Sequence, residues 1–145
     1  MRKMVMAAAL AVATMAGAGA MTLYATQAEA QASAGLSGDW VGGYISADKS
    51  DVNTFNVKLT QAGRSLLGTV YEVNAFGDAS RALFLTSTLT GTINGAQVRF
   101  TKTYDGSGGV SHAVSYVGTL DAGGRRIRGT YDASGTTGTF EMVRN

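Results

Sequence analysis

The sequence predicts an all-β domain, an eight-stranded antiparallel up-and-down meander barrel preceded by a cleavable signal peptide. Three observations predict the barrel. Apolar residues recur at every second position in successive short runs, as strands with one buried face require. The runs are separated by links of hairpin length rich in Gly, Asn and Asp. Eight strands joined in this way can close on themselves, which removes the exposed edges of an open sheet. Twenty Gly, no Pro and no Cys among 145 residues suit glycine turns rather than disulfide-stapled loops. No window carries a helical apolar period long enough to compete.

Residues 1–30 read as the signal peptide. Arg2 and Lys3 precede an Ala-rich apolar stretch, and Ala28-Glu29-Ala30 and Ala30-Gln31-Ala32 both fit an A-x-A cleavage site. An uncleaved anchor suits the stretch less well, because it is mostly Ala and Gly and the small-residue sites follow it closely. The expected product is periplasmic or extracellular, with residues 31–37 as a linker and 38–145 as the barrel. Cleavage removes Arg2, Lys3 and Glu29 and leaves ten basic against nine acidic residues. So balanced a chain has no global field to draw it to nucleic acid or to anionic membrane.

The first strand opens at Ser37-Gly38-Asp39-Trp40, with Trp40, Gly42 and Tyr44 on one face. In the second, Phe55, Val57 and Leu59 face in while Asn56 and Lys58 face out. A turn at 61–64 leads to the third strand, whose inner face is read as Leu66, Gly68, Val70 and Glu72; the opposite parity, with Leu67, Tyr71 and Val73 inside, competes. After a polar connection at 74–81, Leu83, Leu85, Leu89, Gly91 and Ile93 lead into the clearest hairpin. There Asn94-Gly95 separates two alternating runs, a pair that tolerates positive φ at both turn positions. The fifth strand places Val98, Phe100, Lys102 and Tyr104 on one face. The flexible segment 105–109 precedes a sixth strand with His112, Val114, Tyr116, Gly118 and Leu120 inside. Asp121-Ala122-Gly123-Gly124 turns into a seventh with Ile127, Gly129 and Tyr131. After Ser134-Gly135 the eighth presents Gly138, Phe140, Met142 and Arg144. Outward Asn56, Lys58, Gln97, Arg99, Arg126 and Arg128 would face lipid in a transmembrane barrel, where a midplane Lys or Arg costs about 2–4 kcal/mol. The mature domain is therefore expected not to insert in a membrane.

Gly38-Asp39-Trp40 on the first strand, an eight-strand meander and an arginine on the last strand resemble the calycin group: lipocalins, avidins and small bacterial metalloprotease inhibitors. The resemblance implies that Trp40 closes one barrel end and packs against Arg144. It does not carry over a C-terminal helix, the biotin-stacking tryptophans of avidins or the inhibitors' disulfide, which have no counterparts here.

Strand order places the longer, Gly- and Asp-containing connections together at one mouth. Inward residues near that mouth are Tyr44, Glu72, Lys102, Tyr104, His112 and Tyr131, the candidate ligand-binding set. Eight strands make a barrel just wide enough either to be filled by its own side chains or to hold one small ligand. In the filled alternative Lys102 pairs with Glu72 and the tyrosine hydroxyls reach the rim. In the open alternative Lys102 meets a ligand anion and the tyrosines supply walls and hydroxyls. The function expected is binding of a small apolar or amphipathic ligand, with a protein-partner module such as a protease inhibitor as the alternative. No catalytic set, cofactor or metal is expected: one His and no Cys make a zinc site improbable, and no nucleophile elbow, phosphate loop or dinucleotide fingerprint is present. The run Arg125, Arg126, Arg128 is too short for a nucleic-acid footprint.

Overall fold

The computed structural model describes residues 35–145, so the signal-peptide reading and most of the expected linker lie outside the described residues. Eight strands follow in order: β1 (Gly38–Ser46), β2 (Val52–Ala62), β3 (Ser65–Val73), β4 (Phe84–Asn94), β5 (Gln97–Tyr104), β6 (Ala113–Leu120), β7 (Arg126–Ala133) and β8 (Thr136–Arg144). Each pairs antiparallel with its sequence neighbour, and β1 pairs with β8 to close the barrel. One short 3₁₀ turn, Ser107–Gly109, is the helical part of the described residues. None of their helices is long and apolar enough to cross a membrane.

The interior is a single cluster of buried side chains that runs from Leu36 and Trp40 to Tyr104 and Tyr131. Parity on β3 is settled in favour of Leu66, Val70 and Glu72, which are buried, while Leu67, Tyr71 and Val73 are exposed. Register forces that choice, because Val70 pairs with Val57 and Glu72 with Phe55, two inward residues of β2, and paired residues share a face. Outward Asn56, Lys58, Gln97, Arg99 and Arg128 are exposed, and Arg128 reaches Glu141 at 2.5 Å on the surface.

Several local expectations are corrected. Leu83 lies before β4 and is 74% exposed; Ser87 takes an inner position between Leu85 and Leu89. The β4–β5 turn is centred one residue later than expected, because Asn94 pairs with Gln97 and the loop is Gly95-Ala96. Gly95 alone of the two has positive φ, 59°, the requirement of a two-residue loop with Gly first. The β2–β3 loop repeats this with Gly63 at 60°. Only the β7–β8 loop has both central residues at positive φ, Ser134 at 53° and Gly135 at 97°.

The end that carries the chain's last residue is sealed. Trp40 is 1% exposed, its indole N–H donates to the Leu36 carbonyl at 2.8 Å, and the Arg144 guanidinium lies 5.2 Å from its ring centroid. Leu36, expected in the linker, belongs to the barrel: it is 1% exposed, and its N–H donates to Gln61 Oε1 at 2.7 Å. The apolar side chain fills the barrel end, and the two hydrogen bonds satisfy backbone groups that would otherwise be buried without partners.

Candidate functional site

The end of the barrel opposite Trp40, its upper end, gathers the interior's polar groups. Glu72 sits on β3 opposite Phe55, and Lys102 sits on β5 opposite Leu89 and Val114. Strand parity alone points both side chains inward, where they meet across the barrel. Lys102 Nζ lies 2.9 Å from Glu72 Oε1, with the two side chains 2% and 0% exposed. The Tyr104 hydroxyl donates to the same oxygen, and Asn53 Nδ2 donates to Oε2 at 3.2 Å. The carboxylate thus receives a cation and two further donors, the conditions under which a buried pair is tolerated.

Aromatic rings complete the surroundings of the ammonium. Lys102 Nζ lies 4.6 Å from the Tyr104 centroid, 5.3 Å from Tyr44, 5.5 Å from Phe55 and 5.9 Å from Tyr116. Ring faces carry negative electron density and attract a cation at such distances. Burial still favours the neutral amine, so Lys102 titrates below the ordinary lysine range, while the Glu72 charge and hydrogen bond oppose the shift. Burial likewise drives the Tyr44, Tyr104 and Tyr116 phenols above their ordinary value, reinforced by Glu72 in each case.

Tyr131 joins this set through its ring, 5.4 Å from Tyr44 and 5.9 Å from Tyr116. Its hydroxyl and that of Ser87 are buried with no hydrogen-bond partner among the described residues. Burial raises the Tyr131 phenol, followed by the charges of Asp51 and Asp48. Gly138 is what leaves room for this ring: a Cβ there would lie 2.6 Å from Tyr131 Cε1 and 2.1 Å from the Ile45 carbonyl oxygen.

His112 is not among the buried residues of this set. It lies one residue before β6, exposed, with its ring 4.8 Å from Tyr104 and 6.2 Å from Phe76. The 105–112 connection that carries it packs against the 74–83 connection. Asp78 N–H donates to the Gly108 carbonyl at 2.8 Å across the two, Asn74 Nδ2 donates to the Ala82 carbonyl at 2.8 Å within the 74–83 connection, and Thr86 N–H of β4 donates to Ser107 Oγ at 2.8 Å. Val110 is 8% exposed and belongs to the core cluster. These two connections cover the mouth on the β3–β6 side.

The outer face of the wall is concave on the other side. A groove of about 660 Å³ runs over β6, β7, β8 and β1, lined mostly by outward-facing Ile45, Ser115, Val117, Thr130, Thr137 and Thr139 together with Lys49, Tyr131 and Asp132, and a second of about 480 Å³ shares Ile45 and Thr139 with it. Of the sequence-derived candidates, Tyr44, Glu72, Lys102 and Tyr104 therefore form one buried cluster, Tyr131 joins it through its ring and also lines the outer groove, and His112 touches it from the exposed side through Tyr104. Sequence reasoning passed over Tyr116, Phe55, Asn53 and Ser87. The first two were visible as inward residues of their strands; the others carry no signal until register places them beside Glu72 and opposite Tyr104.

No protein-family model matches the chain, and no curated protein does. Solved structures do match. A redesigned β-barrel, mFAP1, described as bound to DFHBI, superposes with a TM-score of 0.59 at 12% identity, covering 76% of this chain and 94% of the other. A second redesigned β-barrel gives 0.60 at 13%, covering 76% and 90%. At such identities the likeness is one of fold: a closed eight-stranded antiparallel barrel.

Proposed function

We propose that this protein is a small-molecule-binding barrel that takes an apolar or amphipathic ligand near its upper end, in the outer groove over β6, β7, β8 and β1 that Tyr131 helps to line. One observation carries the reading. The Tyr131 hydroxyl is shielded from solvent and has no partner among the described residues, yet its residue lines a concave surface large enough for a small ligand. The deeper cup expected from sequence is occupied by the chain's own Lys102–Glu72 pair and rings, so the ligand sits in this outer groove rather than on Lys102. That a barrel of the same fold is described as bound to a small molecule supports the reading by analogy of architecture. The rest of the proposal is a calycin-like barrel exported to the periplasm or beyond, outside the membrane, without enzymatic activity. The leader in residues 1–30 and the outward charges motivate it.

Titration with the neutral amphipathic dye Nile red tests it. Saturable one-to-one binding is expected, abolished by Thr137→Trp, which fills the groove from an exposed position, and retained in Thr90→Trp on the exposed face of β4. Absence of saturable binding, or equal loss in both variants, refutes the groove site.

A specific feature favours a second reading as a protein-partner module. Val52, Tyr71, Val73, Leu83 and Phe84, at the upper ends of β2 to β4, are all between 49% and 74% exposed. An apolar patch of this kind commonly marks a contact surface. A partner such as a protease would cover it, and Tyr71→Asp with Phe84→Asp would abolish capture of that partner while leaving dye binding intact.

A further inference from the structure

We infer that the apolar outer face of β2, β3 and β4 packs against the same face of a second copy of this chain, the two related by a two-fold axis that runs across the strands; this rests on the reading of that patch as a contact surface. The first support is its extent. Val73 of β3 pairs with Phe84 of β4, and Tyr71 and Leu67 follow on the same outward side of β3. Val52 opens β2 and Leu83 directly precedes β4 at the same end. All six are between 49% and 74% exposed. A Tyr or Phe carries about 150–250 Å² and a Val or Leu rather less, so together they present about 600 Å² of apolar surface, the upper limit for an ordinary monomer. Exposed Thr54, Thr69, Thr88 and Thr90 surround them and bring the face toward the about 800 Å² per partner of a standard interface.

The second support is charge. Of the described residues at outward positions of β2, β3 and β4, only Lys58 is charged. Outward positions of the other strands carry Asp39, Arg99, Arg126, Arg128, Asp132 and Glu141. A two-fold contact sets a patch against itself, so any net charge on it meets like charge. A nearly neutral face with aromatic residues at its centre suits such a contact, and depletion of charge there is what marks the core of an interface.

The margins of the face choose the axis. Asp51 stands at its upper end beside Val52, and Arg64 stands at its lower end in the β2–β3 turn, both exposed. An axis across the strands lays the upper end of one copy on the lower end of the other. Leu67 then comes toward Val73 of the other copy, and Asp51 toward Arg64, twice over. An axis along the strands would instead bring together two upper ends, where Asp51, Asp78 and Asp105 lie. Opposite charges at the margin of a contact set its register, and like charges exclude the alternative.

Sedimentation velocity of the protein between about 1 μM and about 100 μM decides the matter. A reversible monomer–dimer equilibrium with a micromolar dissociation constant is expected. Tyr71→Asp sets two carboxylates against each other within the face and should weaken the dimer at least about 100-fold. Arg64→Asp should weaken it at least about threefold, and Arg64→Asp with Asp51→Arg, which exchanges the charges, should restore it. These positions are exposed, and an unchanged circular dichroism spectrum shows that each variant is folded. A wild-type protein that stays monomeric throughout overturns the second copy; the contact-surface reading then rests on capture of an unlike partner that Tyr71→Asp with Phe84→Asp abolishes. A dimer that Tyr71→Asp leaves intact overturns both, because the copies then meet elsewhere. A dimer indifferent to Arg64→Asp overturns the axis across the strands.

Discussion

Replacing Glu72 with glutamine keeps the shape of the side chain and removes the charge that Lys102 needs. The carboxylate accepts from Lys102 Nζ at 2.9 Å, from Asn53 Nδ2 at 3.2 Å and from the Tyr104 hydroxyl, all shielded from solvent or nearly so. Breaking a buried pair by removing one partner costs about 3–5 kcal/mol, because the remaining charge is left uncompensated. The four rings around Lys102 return part of this, up to about 2 kcal/mol for a desolvated cation. A loss near the lower limit, about 3 kcal/mol, is expected, which at a urea dependence of about 1–3 kcal/mol per M moves the midpoint by about 1–3 M.

The loss also carries a pH signature. Burial holds Lys102 below its ordinary value even with Glu72 present. Removing Glu72 lowers it further, so between the folded value and the unfolded one the unfolded chain binds more protons than the folded chain. Stability must then rise with pH across that window, and the rise must begin at lower pH in Glu72→Gln than in the wild type. The double variant Glu72→Leu with Lys102→Met removes both charges and should recover at least about half of the loss. Equilibrium urea unfolding measured at several pH values reads all three quantities. A Glu72→Gln midpoint equal to wild type and flat with pH would refute the view that the pair is buried and coupled. Lys102→Met alone should also destabilise, since it strands Glu72.

Trp40→Ala should destabilise by about 3–5 kcal/mol, read as a lowered denaturation midpoint, because it removes a fully buried ring together with its bond to Leu36 and the face that Arg144 covers. An unchanged midpoint would place Trp40 outside the core. Tyr131→Phe should be neutral or stabilising by about 1 kcal/mol, since it deletes a buried hydroxyl that has no partner among the described residues. A clear loss of stability would mean that the hydroxyl serves the fold.

The barrel was legible because its physics is local. Period-two alternation, the glycine-bearing links at 63, 95 and 135, and outward Lys58, Arg99 and Arg128 each follow from backbone geometry and from the cost of placing charge or polar backbone out of water. Parity on β5 was enough to put Lys102 inside. What sequence left open depended on contacts between residues far apart in the chain. The β3 run has apolar residues on both faces, so alternation could not choose between Leu66 and Leu67; pairing of Val70 with Val57 and of Glu72 with Phe55 did. His112 followed the β6 alternation, yet β6 begins at Ala113 and the connection that carries His112 leaves it exposed. Leu36 looked like tether because its neighbours are small and polar, and only the open end of a closed barrel gives it a place to be buried. Whether Lys102 would meet Glu72 or a ligand was likewise a question of distance across the barrel. Strand stagger answers it by bringing Nζ and Oε1 to 2.9 Å, so that the ammonium meets the chain's own carboxylate.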